Sequence, residues 1–449
     1  MKTLVAVALS LGAVMLGGPT QAQDVGRLSE VAQAYAKTGK FMGSVLVAQG
    51  DRILLDKGYG WANLDWRIPD APDVKYRIGS VTKQFTAALV LLLQQDGKLN
   101  IEDPVSKYLP DLPAAWSKVT ISQLLHQTAG IPNFTSSPAF IAWAAAPHGP
   151  KDFLSLVKDK PLQFEPGSRF SYSNSNYELL GAVIEAVTGK SYEEVLRARL
   201  IEPLGLSSTG LDADDLVLPR RASGYTDGPK GLAYARSESM SVPWAAGAIY
   251  STTHDLLAWE QGLYRGRVLS GRSLAAMTAP GLGEYGMGLF IEQHAGEPLF
   301  QHDGGVEGFA SFLSWLPSRR IAVVVLSNDE SDAVPVMASQ LLDVALGRPV
   351  VLPDQRKDLP LATAQLARVQ GAFQVENGPR LQFGEKGGKL SMDVDGKARP
   401  LFYEGERGGH MMFWDPTTFV EVEFMPDPTG SVSSAVLYVS GRAVPARRV

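Results

Sequence analysis

Residues 79–83 read Gly79-Ser80-Val81-Thr82-Lys83, and the chain continues QFTAALVLLLQQ to Gln95 before Asp96 and Gly97. Val81, Phe85, Ala88, Leu89, Leu92 and Leu93 recur at helical spacing and Gly97 supplies a stop, so the stretch predicts a helix over 81–96. Ser80 then falls at the helix N-terminus, where backbone N–H groups and the dipole favour developing negative charge. Lys83 follows three residues later, one turn away, within reach of the Ser80 hydroxyl. A lysine desolvated in that position can lose its proton and serve as base for a serine that is otherwise unreactive. Taken alone, the commoner reading of such a pattern is a serine N-cap ahead of an exposed lysine.

Two further stretches bring related chemistry. Phe170-Ser171-Tyr172-Ser173-Asn174 precedes a helix expected over 177–188. A tyrosine phenol beside a lysine can hold a lowered pKa and carry protons to and from a nucleophile. The Asn174 amide can donate to a substrate carbonyl and accept from a substrate N–H. Gln301-His302-Asp303-Gly304-Gly305-Val306-Glu307-Gly308 runs directly into an expected strand at Ser311. Its small residues would let a substrate lie against a strand edge, with backbone N–H groups ready for an oxyanion. His302 is a candidate for orienting a substrate carboxylate or assisting proton transfer, and Glu307 for setting specificity. Each stretch alone suits a capping loop or a structural histidine, but the three in one chain, in this order, weigh far more.

Around them the chain alternates hairpins and helices. GSVLVAQ at 43–49 and RILLDKG at 52–58 flank a Gly50-Asp51 turn, and SFLSWL at 311–316 and IAVVVL at 321–326 flank PSRR, which predicts two β-hairpins. Helices are expected between them at 81–96, 121–125, 177–188, 192–200 and 255–263, with a short one before them at 28–35. Hairpins at both ends with helices between make an α+β arrangement, an antiparallel sheet covered by helices. After Leu346 the proline-rich GRPVVLPDQRKDLP suits a linker, followed by a short helix at 362–369. Short runs split by glycines then follow, GAFQV, RLQF, KLSMDV, MMFW, FVEVEF and AVLYV between 371 and 439, which argue for a small all-β barrel or sandwich.

Composition narrows the function. With 449 residues, 45% hydrophobic and 20% charged, the chain suits a folded protein of two domains or more. A net charge of −5 without a basic run gives no footprint for a nucleic-acid partner. The absence of cysteine excludes disulfides, Cys-ligated zinc and a thiol nucleophile, and the six histidines show no metal-ligand spacing, so neither metal nor cofactor is expected. No G-x-S-x-G elbow or phosphate-binding glycine loop is present. Residues 1–22 join Lys2, an apolar stretch over 4–16 and the small-residue end GGPTQA, the pattern of a secretory signal peptide. That apolar stretch is shorter than the roughly 20 residues a bilayer span needs, so a periplasmic or secreted protein with no membrane span is expected. Trp244, Tyr225 and Trp315 are candidate pocket aromatics, though core burial is commoner for such residues.

S-V-T-K at 80–83, Y-S-N at 172–174 and H-D-G at 302–304 together resemble the penicillin-recognising serine hydrolases, which include DD-peptidases, class C β-lactamases, D-aminopeptidases and related esterases. GKLNIEDP at 97–104, LLHQTAGIP at 124–132, EPG at 165–167 and STTHDL at 251–256 are similar to the same family. The resemblance covers 25–346, and the final β segment resembles, more loosely, the lipocalin-like barrel appended to some D-aminopeptidase-type members. It implies a domain over 23–346 with an antiparallel sheet flanked by helices, a mostly helical lobe and the active site between them. A linker and short helix over 347–370 and a lipocalin-like barrel over 371–449 would follow. Residue by residue, Ser80 matches the acylated nucleophile, Lys83 its base, Tyr172 the proton shuttle and Asn174 the contact to the substrate amide. His302 and Gly304 match the third motif, and the Ser80 and Gly305 backbone would form the oxyanion hole. Class C β-lactamases carry lysine where His302 stands, so the histidine is more like the DD-peptidase and D-aminopeptidase branch. The implied activity is hydrolysis of a peptide or small amide or ester substrate through an acyl-enzyme, with D-residues near the scissile bond and possible β-lactam binding. A β-lactamase or carboxylesterase of the same superfamily is the alternative, and a catalytically idle penicillin-binding-like sensor another.

Overall fold

Two of the most apolar stretches in the chain, Gly43–Gln49 (β1) and Ile321–Ser327 (β6), lie side by side in antiparallel register, Val45 opposite Val325 and Leu46 opposite Val324. Each is buried almost along its whole length. In the computed structural model, which describes residues 25–375, 378–394, 396–439 and 442–449, they form the middle of a six-stranded sheet. The other strands are Arg52–Tyr59 (β2), Phe290–His294 (β3), Glu297–Val306 (β4) and Phe309–Leu316 (β5), in the order β3-β4-β5-β6-β1-β2. The expected signal peptide over 1–22 lies outside the described residues.

Alternation explains why these strands read as continuous apolar runs: both faces are covered. Leu46, Ala48, Leu313, Val324 and Leu326 point into one apolar cluster, with Thr82–Gln95 (α2) and Thr253–Tyr264 (α4). Val45, Val47, Phe312, Val323 and Val325 point into another, with Val25–Lys37 (α1) and Ala333–Ala345 (α5). The first cluster continues into a helical lobe around Asn174–Thr188 (α3), which packs on α2 and on the short turn Trp244–Gly247. The structure thus bears out the α+β expectation of a helix-covered antiparallel sheet with a helical lobe.

After the helix Thr363–Val369 (α6), eight strands close into an antiparallel barrel: Gly371–Val375 (β7), Arg380–Lys386 (β8), Lys389–Val394 (β9), Lys397–Arg407 (β10), His410–Trp414 (β11), Glu421–Pro426 (β12), Val432–Val439 (β13) and Arg442–Arg448 (β14). Closure comes from β7 against β14, Phe373 opposite Arg448. Side chains fill the interior: Phe373, Phe383 and Phe424 meet edge to face with centroids 4.9–5.6 Å apart, among Leu390, Met392, Met411 and Val422. The barrel joins the rest of the molecule through Trp414 and Phe419, which enter the α1/α5 cluster, Phe419 lying 5.2 Å from Tyr35.

Candidate active site

β3 pairs with β4 only up to Phe290 opposite Gln301, so His302–Val306 is bonded on one side to β5 and carries no strand on its other edge among the described residues. Against that edge sits the single 3-10 turn Gly79–Val81 that leads into α2. The approach is close because neither side has a side chain in the way. Gly79 has φ +50°, and a Cβ there would lie 2.6 Å from the Gly305 nitrogen. A Cβ on Gly304 would overlap the Ile78 carbonyl oxygen, which instead accepts the Ser311 hydroxyl at 2.8 Å. Glycines at 79 and 304 therefore let Ser80 and the Gly305 backbone face one cleft of about 620 Å³. The segment containing Gly304 and Gly305 is strand, and the turn comes after it, at Glu307-Gly308.

Ser80 does not cap the helix. The residue before the 3-10 turn, Ile78, and the one before α2, Val81, make no side-chain capping bond. Nor is Lys83 exposed: it is wholly buried, which removes the ordinary reading of the pair. Lys83 Nζ lies 2.9 Å from Ser80 Oγ, 2.8 Å from Asn174 Oδ1 and 2.8 Å from the Ala246 carbonyl oxygen. The Tyr172 ring centroid is 4.9 Å from the same nitrogen. Burial pushes the Lys83 amine down to about 7, although the charges of Glu178 and Asp303 pull the other way.

α3 begins at Asn174, earlier than the periodicity suggested, and this brings Asn174 into its first turn. Ser173, the residue before it, makes no capping bond; Gln127 holds the segment instead. Its side-chain oxygen accepts the Ser173 N–H at 3.0 Å and the Asn176 amide at 2.6 Å, and its carbonyl accepts the Ser171 N–H at 2.9 Å. Gln127 does this with φ +58°, and Asn133 Oδ1 accepts the Asn174 N–H at 3.1 Å.

His302 is 1% exposed and is not part of the cleft wall. Its Nδ1 donates to the Asp303 carbonyl at 2.5 Å, and its Nε2 lies 3.2 Å from the Tyr285 hydroxyl. Its ring packs 6.1 Å from that of Tyr172, so it reaches the site through the tyrosine. The structure thus brings Ser80, Lys83, Asn174, Tyr172, His302, Gly304 and Gly305 to one place. Trp244, Tyr225 and Trp315 are elsewhere, against Tyr192, Tyr234 and Tyr264, while Phe134, Phe140 and Phe309 supply the aromatic wall of the cleft. Gln127 lay in a stretch that resembled the family, but nothing in the sequence gave it a role. Ala246 carries no signal at all, because it acts through its backbone.

The two-lobed α+β fold with this cleft at the edge of β4 is that of the β-lactamase-like proteins. The Beta-lactamase family model matches residues 29–347, and the chain belongs to that family. Protein flp of Staphylococcus aureus is 30% identical over 312 residues, covering 66% of this chain and 61% of that protein, so this chain spans less than two thirds of that relative's length. The structure of the octameric penicillin-binding protein homologue from Pyrococcus abyssi matches 94% of this chain and 100% of that one, barrel included, with a TM-score of 0.68 and 26% identity. The D-amino acid amidase from Ochrobactrum anthropi SV3, solved with D-phenylalanine, matches 72% of this chain and 98% of its own, with a TM-score of 0.64 and 25% identity. Among the described residues no helix is long and apolar enough to cross a membrane.

Proposed function

We propose that the protein is an exported serine hydrolase that cleaves amide or ester bonds through an acyl-Ser80 intermediate, with a peptide that contains D-residues as its substrate class. One observation carries this reading. A neutral lysine amine has two hydrogens and one lone pair, and Lys83 has two acceptors that cannot donate, Asn174 Oδ1 and the Ala246 carbonyl. Both hydrogens are thereby engaged, and the lone pair faces the Ser80 hydroxyl 2.9 Å away. Burial that lowers the amine to about 7 keeps that form accessible at neutral pH.

Ser80 Oγ attacks the carbonyl carbon while its proton passes to Lys83. The Ser80 and Gly305 N–H groups hold the oxyanion, the approach of Gly79 to the Gly305 nitrogen having brought the two backbones together. Tyr172, packed on Lys83 and backed by His302, relays the proton to the leaving group. Water, activated by the same base, then releases the acyl group. The amidase likeness supports D-residues, and the domain division taken is a signal over 1–22, a hydrolase over 23–346, a linker over 347–370 and a barrel over 371–449.

The test is turnover of p-nitrophenyl acetate and of D-amino-acid p-nitroanilides, with the acyl adduct mapped by intact mass. Wild type is expected to hydrolyse both ester and amide, and Ser80→Ala neither. A folded Ser80→Ala protein with undiminished turnover would sink the mechanism.

A further inference from the structure

Glu178 lies one helical turn beyond Asn174 on α3 and is 2% exposed. Its Oε1 accepts the Ala246 N–H at 3.2 Å, a donor it shares with the Pro243 carbonyl at 2.8 Å, and the carbonyl of Ala246 accepts from Lys83 at 2.8 Å. Next to it, Thr86 Oγ1 donates to the Ala245 carbonyl at 2.6 Å and meets the Tyr192 hydroxyl at 2.7 Å. The turn Trp244–Gly247 is therefore pinned from α2 by Thr86 and Lys83 and from α3 by Glu178. A carboxyl in an apolar interior costs stability that glutamine or leucine would not, and one hydrogen bond to a backbone N–H does not require a titratable group. What distinguishes a carboxyl here is its electrostatic reach to Lys83.

We propose that Glu178 is a positioning residue for the base: through Ala246 it keeps a Lys83 hydrogen turned away from Ser80, and with Lys83 it shares one proton between two buried sites. The inference rests on the reading of Ser80 and Lys83 as nucleophile and base. Burial pushes the Glu178 carboxyl well above the usual carboxylate range and the Lys83 amine below the usual lysine range, so both lean to their neutral forms. Whenever Glu178 does ionise, its charge draws Lys83 back to the ammonium form, which cannot take the serine proton. Few other groups face this pair. α2 contributes Lys83 alone, the turn Tyr192–Leu196 contributes Tyr192, and Trp244–Gly247 and Ile121–Leu125 contribute no titratable side chain. Asp303 acts on Lys83 from β4, and the Tyr172 and Tyr177 rings lie over it.

The test is the pH profile of kcat/KM for p-nitrophenyl acetate in wild type, Glu178→Gln and Glu178→Leu. Glutamine keeps an acceptor oxygen for Ala246 but cannot become anionic. Its acid limb is expected roughly half a pH unit or more below that of wild type, with KM unchanged. Leucine removes the side-chain acceptor as well, leaving the Ala246 N–H to the Pro243 carbonyl alone, and kcat is expected to fall roughly threefold to tenfold at unchanged KM. A Glu178→Gln profile that superimposes on wild type overturns the shared proton, and does so even where Glu178→Leu fails to fold. A wild-type protein without Ser80-dependent turnover overturns the underlying hydrolase reading, and this inference with it.

Discussion

As the proposed base, Lys83 combines a function with a cost. Its amine is wholly buried and lowered to about 7, whereas in the unfolded chain it keeps the ordinary lysine value of 10.5. Between those two values the unfolded state holds a proton that the folded state has lost, so this residue makes the protein more stable as pH rises from 7 towards 10.5. The slope is about 1.4 kcal/mol per pH unit for one proton. Lys83→Met, which cannot titrate, is expected to lose all turnover and to lack this slope. Denaturant unfolding of both proteins at several pH values checks it: the stability difference between variant and wild type should shift steadily in favour of wild type from pH 7.5 to 9.5. Parallel curves would mean that Lys83 stays protonated in the fold and is not the base.

At the scale of elements, what could be read from the chain depended on how local its cause was. Ser80 and Lys83 sit one turn apart where the 3-10 turn runs into α2, while β1, β5 and β6 are long apolar runs and β2 follows β1 across the Gly50-Asp51 turn, so their signals are contained in a few neighbouring positions. α5 was not among the expected helices, because Pro335 and the surrounding valines break a helical pattern; the proline falls in the first turn, where no intrahelical N–H is needed. β10 and β14 were hidden too, since of β10 only Leu401 and Tyr403, and of the described side chains of β14 only Ala446, are buried. Gln127, Ser311 and Ala246 act across long sequence separations, which periodicity cannot show. β14 is nonetheless what closes the barrel, and Arg448 is its clasp. The guanidinium donates to the carbonyls of Gln370, Arg368 and Val432 at 2.5–2.6 Å and lies 4.8 Å from the Phe373 ring centroid. Arg448→Met leaves three carbonyls without that donor at the joint between α6 and the barrel, and a loss of about 3 kcal/mol is expected. Thermal unfolding followed by limited proteolysis should show the barrel cut first while ester turnover at low temperature persists; an unchanged melting temperature would refute the clasp.

The whole molecule sets the charge of the cleft. Glu238, Asp303, Glu307, Glu330 and Asp332 line it, and among the described residues no lysine or arginine does. Several of these carboxylates also hold bonds within the fold, Glu307 to Arg236, Glu330 to the Gly308 N–H and the Thr226 hydroxyl, and Glu238 to the Glu307 backbone, yet the wall remains acidic on balance. The arrangement disfavours a substrate carboxylate and favours an ammonium group, such as the free amine of a peptide. Glu238 makes this preference adjustable: burial, and then the neighbouring Glu307 charge, raise its carboxyl to about 7, so it adds its negative charge only above that pH. Lys83 also titrates near 7 and would mask the effect in any single rate. The ratio of kcat/KM for D-phenylalanine p-nitroanilide to that for its N-acetyl form cancels the Lys83 contribution, because both substrates would use the same proposed base. Measured where the substrate amine stays protonated, the ratio is expected to exceed one and to rise severalfold from pH 5.5 to 7 as Glu238 ionises. It should also fall with added salt, since the attraction acts across a partly solvated cleft with a screening length of about 10 Å at 0.1 M. Glu238→Gln is expected to flatten the pH dependence of the ratio while leaving the rate on the acetylated substrate in place. A ratio independent of pH and salt in wild type would mean that shape, not charge, selects the substrate.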